Sequence, residues 1–161
     1  MFLHAFARVS HGHLAIVGTD DEGLSGKIVE LSEQLRIADR VRVLPRTVSG
    51  ADKERLFNAA SVFVLPSYSE NFGNTILEAF QHRVPVVATP EVGAADIVQR
   101  SGGGLVVAGD PAPLGEAICR LLSDPERARA MGVAGQQYSD AHHTWAVVAR
   151  QMESLYEGLR T

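Results

Sequence analysis

Five nearly continuous apolar runs punctuate the chain, at residues 14–17, 41–44, 62–65, 84–88 and 105–108. None alternates apolar with polar over its length, so each reads as a strand buried on both faces of a parallel sheet. Between the runs, apolar residues recur at spacings of three and four, the period of an amphipathic helix. Leu24, Ile28, Leu31, Leu35 and Ala38 form one stripe, with Gly23 and Gly26 weakening its first turn. Leu56, Phe57 and Ala60 form a second stripe, behind a capping-box pattern from Ser49 to Asp52. Ile76, Leu77 and Phe80 form a third. A short helix is expected over 93–99, a turn at 101–104, and helices behind Asp110-Pro111 and Asp124-Pro125, each an N-cap followed by a residue suited to the first helical position. Thr144 caps a last helix whose Trp145, Val148, Met152, Leu155 and Leu159 face one way, with Trp145 and Tyr156 read as core anchors. At the other end Phe2, Phe6 and Val9 have helical spacing with no cap before them. Strands alternating with helices predict an α/β fold, a parallel sheet covered by helices on both faces.

The most informative stretch is 61–79, SVFVLPSYSENFGNTILEA, in which an apolar strand passes through a polar loop into a helix opening at Gly73. Loops at the carboxyl ends of parallel strands hold ligands, and a helix N-terminus offers free N–H groups and partial positive charge to an anion. Two carboxylates flank that point, Glu70 in the loop and Glu78 in the helix. At about 1.5 Å per residue their backbones stand roughly 12 Å apart. That is too far for two acids flanking one glycosidic bond, and suits the two ends of one elongated anionic ligand.

Pro66-Ser67, Glu70, Phe72-Gly73, Glu78-Ala79, Pro85-Val86-Val87-Ala88 and Gly93, in this order and spacing, resemble the E-x7-E region of family 4 retaining glycosyltransferases with the GT-B fold. The likeness continues through Gly104-Leu105-Val106-Val107 and Asp110-Pro111 and covers nearly the whole chain, but only the carboxyl half of such an enzyme. It implies a single nucleotide-sugar-binding domain over 1–161, truncated at its amino terminus, with a Rossmann-like sheet that lacks the family's first, central strand. That lack would leave the edges of the strands at 14–17 and 62–65 bare or force them to pair.

By the same resemblance the substrate is a nucleoside diphosphate sugar whose hexose-type sugar passes to an acceptor held by a separate amino-terminal domain. Glu78 would accept hydrogen bonds from the ribose hydroxyls, and Glu70 would lie beside the reacting carbon of the sugar. Backbone groups along Asn71, Phe72, Gly73, Asn74 and Thr75 would meet the sugar and distal phosphate, and residues 44–49 the base. The family's Gly-Arg strand and following lysine, which neutralise the leaving diphosphate, have no counterpart, so the chain alone is expected to be inactive. A nucleotide-sugar epimerase half-domain and a non-enzymatic nucleotide-binding module are the alternatives. The sequence departs from the family at Asn71, where glycine is frequent, at Arg83, where a small residue is usual, and at Gly93-Ala94 and Asp96, where Gly-Gly and Glu are usual.

Composition narrows the partners. A net charge of −4 with no basic patch argues against nucleic acid, and no apolar run approaches the length of a membrane span. One cysteine, Cys119, excludes an internal disulfide and reads as a core thiol; with no leader pattern at the amino terminus, the expectation is the cytoplasm. The chain has no Asp-x-Asp, and His11 with His13, and His142 with His143, lack companions at metal-site spacing and read as solvated surface, so no metal or cofactor is expected. The acids Asp20, Asp21 and Glu22 follow Gly18 at a strand-to-helix turn and read as helix caps, not a phosphate site.

Overall fold

All five apolar runs are parallel strands in the computed structural model, which describes residues 1–159. The last two residues of the expected domain lie outside that range. In chain order the elements are α1 (Phe2–Phe6), β1 (Leu14–Val17), α2 (Ser25–Gln34), a 3-10 turn at Ala38–Arg40, β2 (Val41–Leu44), α3 (Gly50–Ala59) and β3 (Phe63–Leu65). There follow α4 (Asn74–Gln81), β4 (Val86–Ala88), α5 (Ala95–Ser101), β5 (Gly104–Val106), α6 (Pro111–Ser123), α7 (Pro125–His142) and α8 (Trp145–Gly158).

The strands form two sheets, β1 with β2, and β3-β4-β5 in that order. Between the two alternatives for β1 and β3, bare edges or direct pairing, the chain takes the first: each has one strand partner among the described residues. Both sheets nevertheless rest on one core. Leu3, Phe6 and Val9 of α1 and its exit, with Leu114, Ile118 and Leu121 of α6, pack against Leu14, Ile16 and Val43 on one side and Val64, Val87 and Leu105 on the other. Half-buried Cys119 borders this core, as expected of it.

Alternation along a strand sends neighbouring side chains to opposite faces. Val87 thus joins the α1–α6 core, whereas Val86 and Ala88 join a second core with Phe57 of α3, Ile76, Ala79 and Phe80 of α4, and Val98 of α5. All three residues of β4 are fully buried, which explains why the run carries no polar residue.

Several boundaries differ from the sequence expectation for identifiable reasons. Strand β4 begins at Val86 because Pro85 has no N–H and Val84 turns back to donate to the Ala79 carbonyl, 2.9 Å away. Helix α2 begins only past Gly23, which has φ of 66°. Ser49 occupies the N-cap of α3, but its side chain makes no capping bond, and Asp52 is drawn instead to Arg46 and Arg55 at 3.5 and 3.2 Å. Asp124 and Thr144 do cap α7 and α8, accepting from the amides of Arg127 and Val147.

The last helix carries the one outright reversal. Its stripe has the expected spacing but faces outward: Trp145 is 89% exposed and Leu159 75%, and no residue of α8 is buried. Trp145 and Tyr156 are therefore not core anchors in this chain. Helical periodicity shows that a face is apolar, and it says nothing of what covers that face. No helix among the described residues is long and apolar enough to cross a membrane.

Candidate functional site

The loop leaving β3 and the loop leaving β4 are stitched together by their backbones. The Thr89 hydroxyl donates to the Ser67 carbonyl at 2.6 Å, and the Thr89 amide to Leu65 at 3.4 Å. Further on, Glu70 N–H donates to the Glu91 carbonyl, Gly93 N–H to the Glu70 carbonyl, and Ala94 N–H to the Phe72 carbonyl, at 3.3, 2.9 and 2.7 Å. Glu70 and Val92 form an isolated parallel bridge. This approach requires glycine at 93, where a Cβ would collide with the Asn71 carbonyl oxygen. Gly93 thus has a structural reason to be there, although its partners lie more than twenty positions upstream.

The loop then turns into α4 through Gly73, whose φ of 87° and ψ of 57° are left-handed. Gly73 is buried: a Cβ there would stand 2.9 Å from Leu65 and 3.0 Å from Val92. Asn71, where glycine is frequent in the family, has no positive φ; the left-handed position in this loop is Gly73. Asn71, Phe72, Asn74 and Thr75 are exposed around it. The amides of Asn74 and Thr75 open the helix and find no acceptor among the described residues. No side chain caps α4, so its positive end is open to an anion.

The two carboxylates have different surroundings. Glu70 is half-buried before the helix, and its Oε1 lies 3.4 Å from the Phe72 amide, so that amide is directed at its own loop. Glu78, in the second turn of α4, faces α3. Its Oε1 accepts from Lys53 Nζ at 2.5 Å, while its Oε2 is buried with no hydrogen-bond partner among the described residues. The same two helices meet again at their far ends, where His82 Nδ1 and Asn58 Oδ1 are 2.9 Å apart and the His82 ring stacks on Phe57 at 5.4 Å. Lys53 was not singled out by sequence: one lysine in a helix's first turn carries no pattern that marks its partner 25 positions away.

Arg83 ends α4 with φ of 57° and sends its guanidinium outward to Gln136, 2.8 Å away. A left-handed position explains why a small residue would be favoured there.

A cleft of about 370 Å³ lies elsewhere, at the carboxyl ends of β1 and β2 against the start of α2. Asp20, Asp21 and Glu22 rim it. Asp20 accepts from the amides of Leu24 and Ser25 at 2.5 and 3.2 Å. Hydrogen bonding from the Ser25 side chain, helped by these amides against slight desolvation, holds its carboxyl below the usual range. Asp20 alone thus takes the helix-capping role expected for these acids, Asp21 accepting instead from the Thr19 hydroxyl at 2.9 Å, and the acidic rim disfavours a diphosphate. A second, smaller recess of about 230 Å³ is lined by Leu44, Arg46, Asp52, Arg55 and Leu56, on the segment expected to meet a base. His142 and His143 flank the Tyr138 ring at 4.4 and 5.8 Å, so they are packed more than a solvated pair would be.

Parallel strands in the order described, helices on both faces and an uncapped helix behind the third strand define a Rossmann-like domain of the GT-B kind. The chain belongs to the glycosyl transferases group 1 family, whose model matches residues 1–124. It is 39% identical over 131 residues to D-inositol 3-phosphate glycosyltransferase of Corynebacterium diphtheriae, an alignment covering 80% of this chain and 30% of that one. It is 32% identical to the solved sucrose-phosphate synthase of Thermosynechococcus elongatus, with a TM-score of 0.86 over 98% of this chain and 41% of that one. An Anabaena protein solved with UDP and glucose shares the fold, with a TM-score of 0.80 at 23% identity over 96% of this chain and 43% of that one. The chain thus spans about 30% of the length of the first curated relative.

Proposed function

We propose that this chain is the donor-nucleotide-binding domain of a metal-independent, retaining family 4 glycosyltransferase, with Glu70 and Glu78 as its E-x7-E pair. The observation that carries the reading is the pair of unpartnered amides of Asn74 and Thr75 at the uncapped start of α4, between the two carboxylates. A diphosphate bound there meets two N–H donors and the helix dipole; its ribose reaches Glu78 on one side and its sugar reaches Glu70 on the other. The Glu78 side chain, 38% exposed, offers its carboxylate to the ribose hydroxyls. Glu70 stabilises positive charge that grows on the anomeric carbon as the bond to the diphosphate breaks. The departing diphosphate takes the acceptor's proton on the same face. The acceptor itself is held by a further domain, so that transfer needs more than this chain.

Membership of a glycosyl transferase family favours transfer over epimerisation. Titration calorimetry of the chain with UDP, GDP and ADP, with and without EDTA, tests the binding half of the proposal. Weak binding of at least one diphosphate, unchanged by EDTA, is expected. Absence of binding to all three at millimolar concentration, or binding abolished by EDTA, overturns it.

A further inference from the structure

We propose that Tyr68 is a sugar-binding residue of this site, its ring forming an aromatic platform for the C–H face of the donor's hexose. The inference rests on the reading of Glu70 as the residue beside the sugar and adds to it the group that holds the sugar ring. Tyr68 is 73% exposed, and its hydroxyl and ring have no partner among the described residues. Outside α8, the described residues expose two aromatic side chains, Tyr68 and Phe72, and these stand two positions before and two positions after Glu70. Every other aromatic ring outside α8 is buried or half-buried. The rings that this domain leaves in water are therefore gathered on the one loop that carries a candidate reacting carboxylate.

The ring is firmly mounted. On one side of it the Ser67 carbonyl accepts from the Thr89 hydroxyl at 2.6 Å, and on the other the Glu70 amide donates to the Glu91 carbonyl at 3.3 Å. With the backbone fastened before and after it, Tyr68 keeps only its two side-chain torsions, so a ligand that packs on it orders little else. Two residues span at most about 7 Å, which puts Tyr68 and Glu70 within reach of one sugar ring.

The order along the loop assigns the two rings different neighbours. Phe72 directly precedes Gly73 and the open amides of Asn74 and Thr75, on the diphosphate side of Glu70. Tyr68 comes before Glu70, away from the helix, on the side left for the sugar. A hexose carries hydroxyls around its rim and C–H groups on its faces, so carboxylates and amides satisfy only the rim. The face of an aromatic ring is apolar and bears partial negative charge, which suits C–H groups, while the phenol keeps its hydroxyl in water at the edge.

The test measures, by calorimetry on the unaltered chain, Tyr68→Ala and Tyr68→Phe, the affinities for UDP, GDP and ADP and for their glucosyl forms, with thermal unfolding of each protein. In Tyr68→Ala the affinity for the glucosyl nucleotide that binds should fall about three- to tenfold, with that for the bare diphosphate unchanged. Tyr68→Phe should keep the affinity for both, and an exposed ring should leave the unfolding temperature of either variant unaltered. Saturation transfer from aromatic protons to the sugar C–H protons of the bound nucleotide should appear in the unaltered chain and vanish in Tyr68→Ala. Equal weakening of both ligands by Tyr68→Ala, no weakening of either, or saturation transfer that survives the substitution makes Tyr68 an idle surface ring and overturns the proposal, while the nucleotide site stands. If none of the diphosphates or glucosyl nucleotides binds the unaltered chain at millimolar concentration, the donor site itself fails and Tyr68 falls with it.

Discussion

Gly132 of α7 lies directly against the Arg83 carbonyl, so close that any Cβ at 132 would overlap the oxygen. Gly135, one turn on, meets the ring of Phe80 in the same way, and Gln136 both donates to the Gln81 carbonyl and accepts from Arg83. Helix α7 therefore grips the end of α4 through positions that tolerate no side chain. Gly132→Ala should lower the unfolding free energy by roughly 1–3 kcal/mol despite alanine's better helix propensity, because the clash is with backbone. Urea unfolding would check it; an unchanged midpoint would mean that α7 does not pack there.

The two carboxylates should separate kinetically once the domain is joined to an acceptor domain from a relative. Glu78→Ala should weaken affinity for the nucleoside diphosphate, since it removes a charge-assisted acceptor present in ground state and transition state alike. Glu70→Ala should chiefly lower turnover at saturating donor, since charge on the sugar carbon appears only as the bond breaks. Diphosphate calorimetry paired with transfer rates distinguishes them. The reverse pattern would mean that the site is oriented backwards.

Trp145 is the single tryptophan of the chain, so its fluorescence reports one position. At 89% exposure its emission should lie at the long wavelengths of hydrated indole and be quenched by iodide in the folded state. A blue-shifted, iodide-protected emission would show the apolar face of α8 to be covered in solution.

His143 should make stability sensitive to mild acid. Desolvation, with His142⁺ nearby as the lesser cause, lowers its pKa in the folded state. A histidine depressed on folding binds its proton more readily when unfolded, so its contribution is fully present above the unfolded value of about 6.5 and is lost as pH falls from there through the folded value. The drop in Tm between pH 7.5 and 5.5 should therefore be smaller in His143→Gln than in the parent. An equal drop would rule out His143 as a contributor.

What was legible from sequence is what burial dictates locally. The runs at 41–44 and 14–17 are strands at those same residues, because continuous apolar character over so short a length has few other uses. Gly73 and Gly93 stood out as members of a pattern, and the structure supplies their reasons, a left-handed turn and a backbone collision. Relations across the fold were not legible. Ser49 makes no capping bond and the Asp52 carboxylate, which would complete the box, is engaged by two arginines; the α8 stripe gives no sign of its outward direction; Lys53 looks like any solvated lysine until α4 is laid beside α3.

The stitching of residues 70–72 to 91–94 has a thermodynamic consequence. Fixing one residue's backbone costs about 1–2 kcal/mol of conformational entropy, and a loop that ordered only around its ligand would subtract that cost, residue by residue, from affinity. Here the ordering is complete before a ligand arrives, supported by hydrogen bonds that belong to the fold. Association at this loop can then proceed with little loss of chain entropy. Departure of a ligand leaves the same loop behind, already shaped for the next encounter.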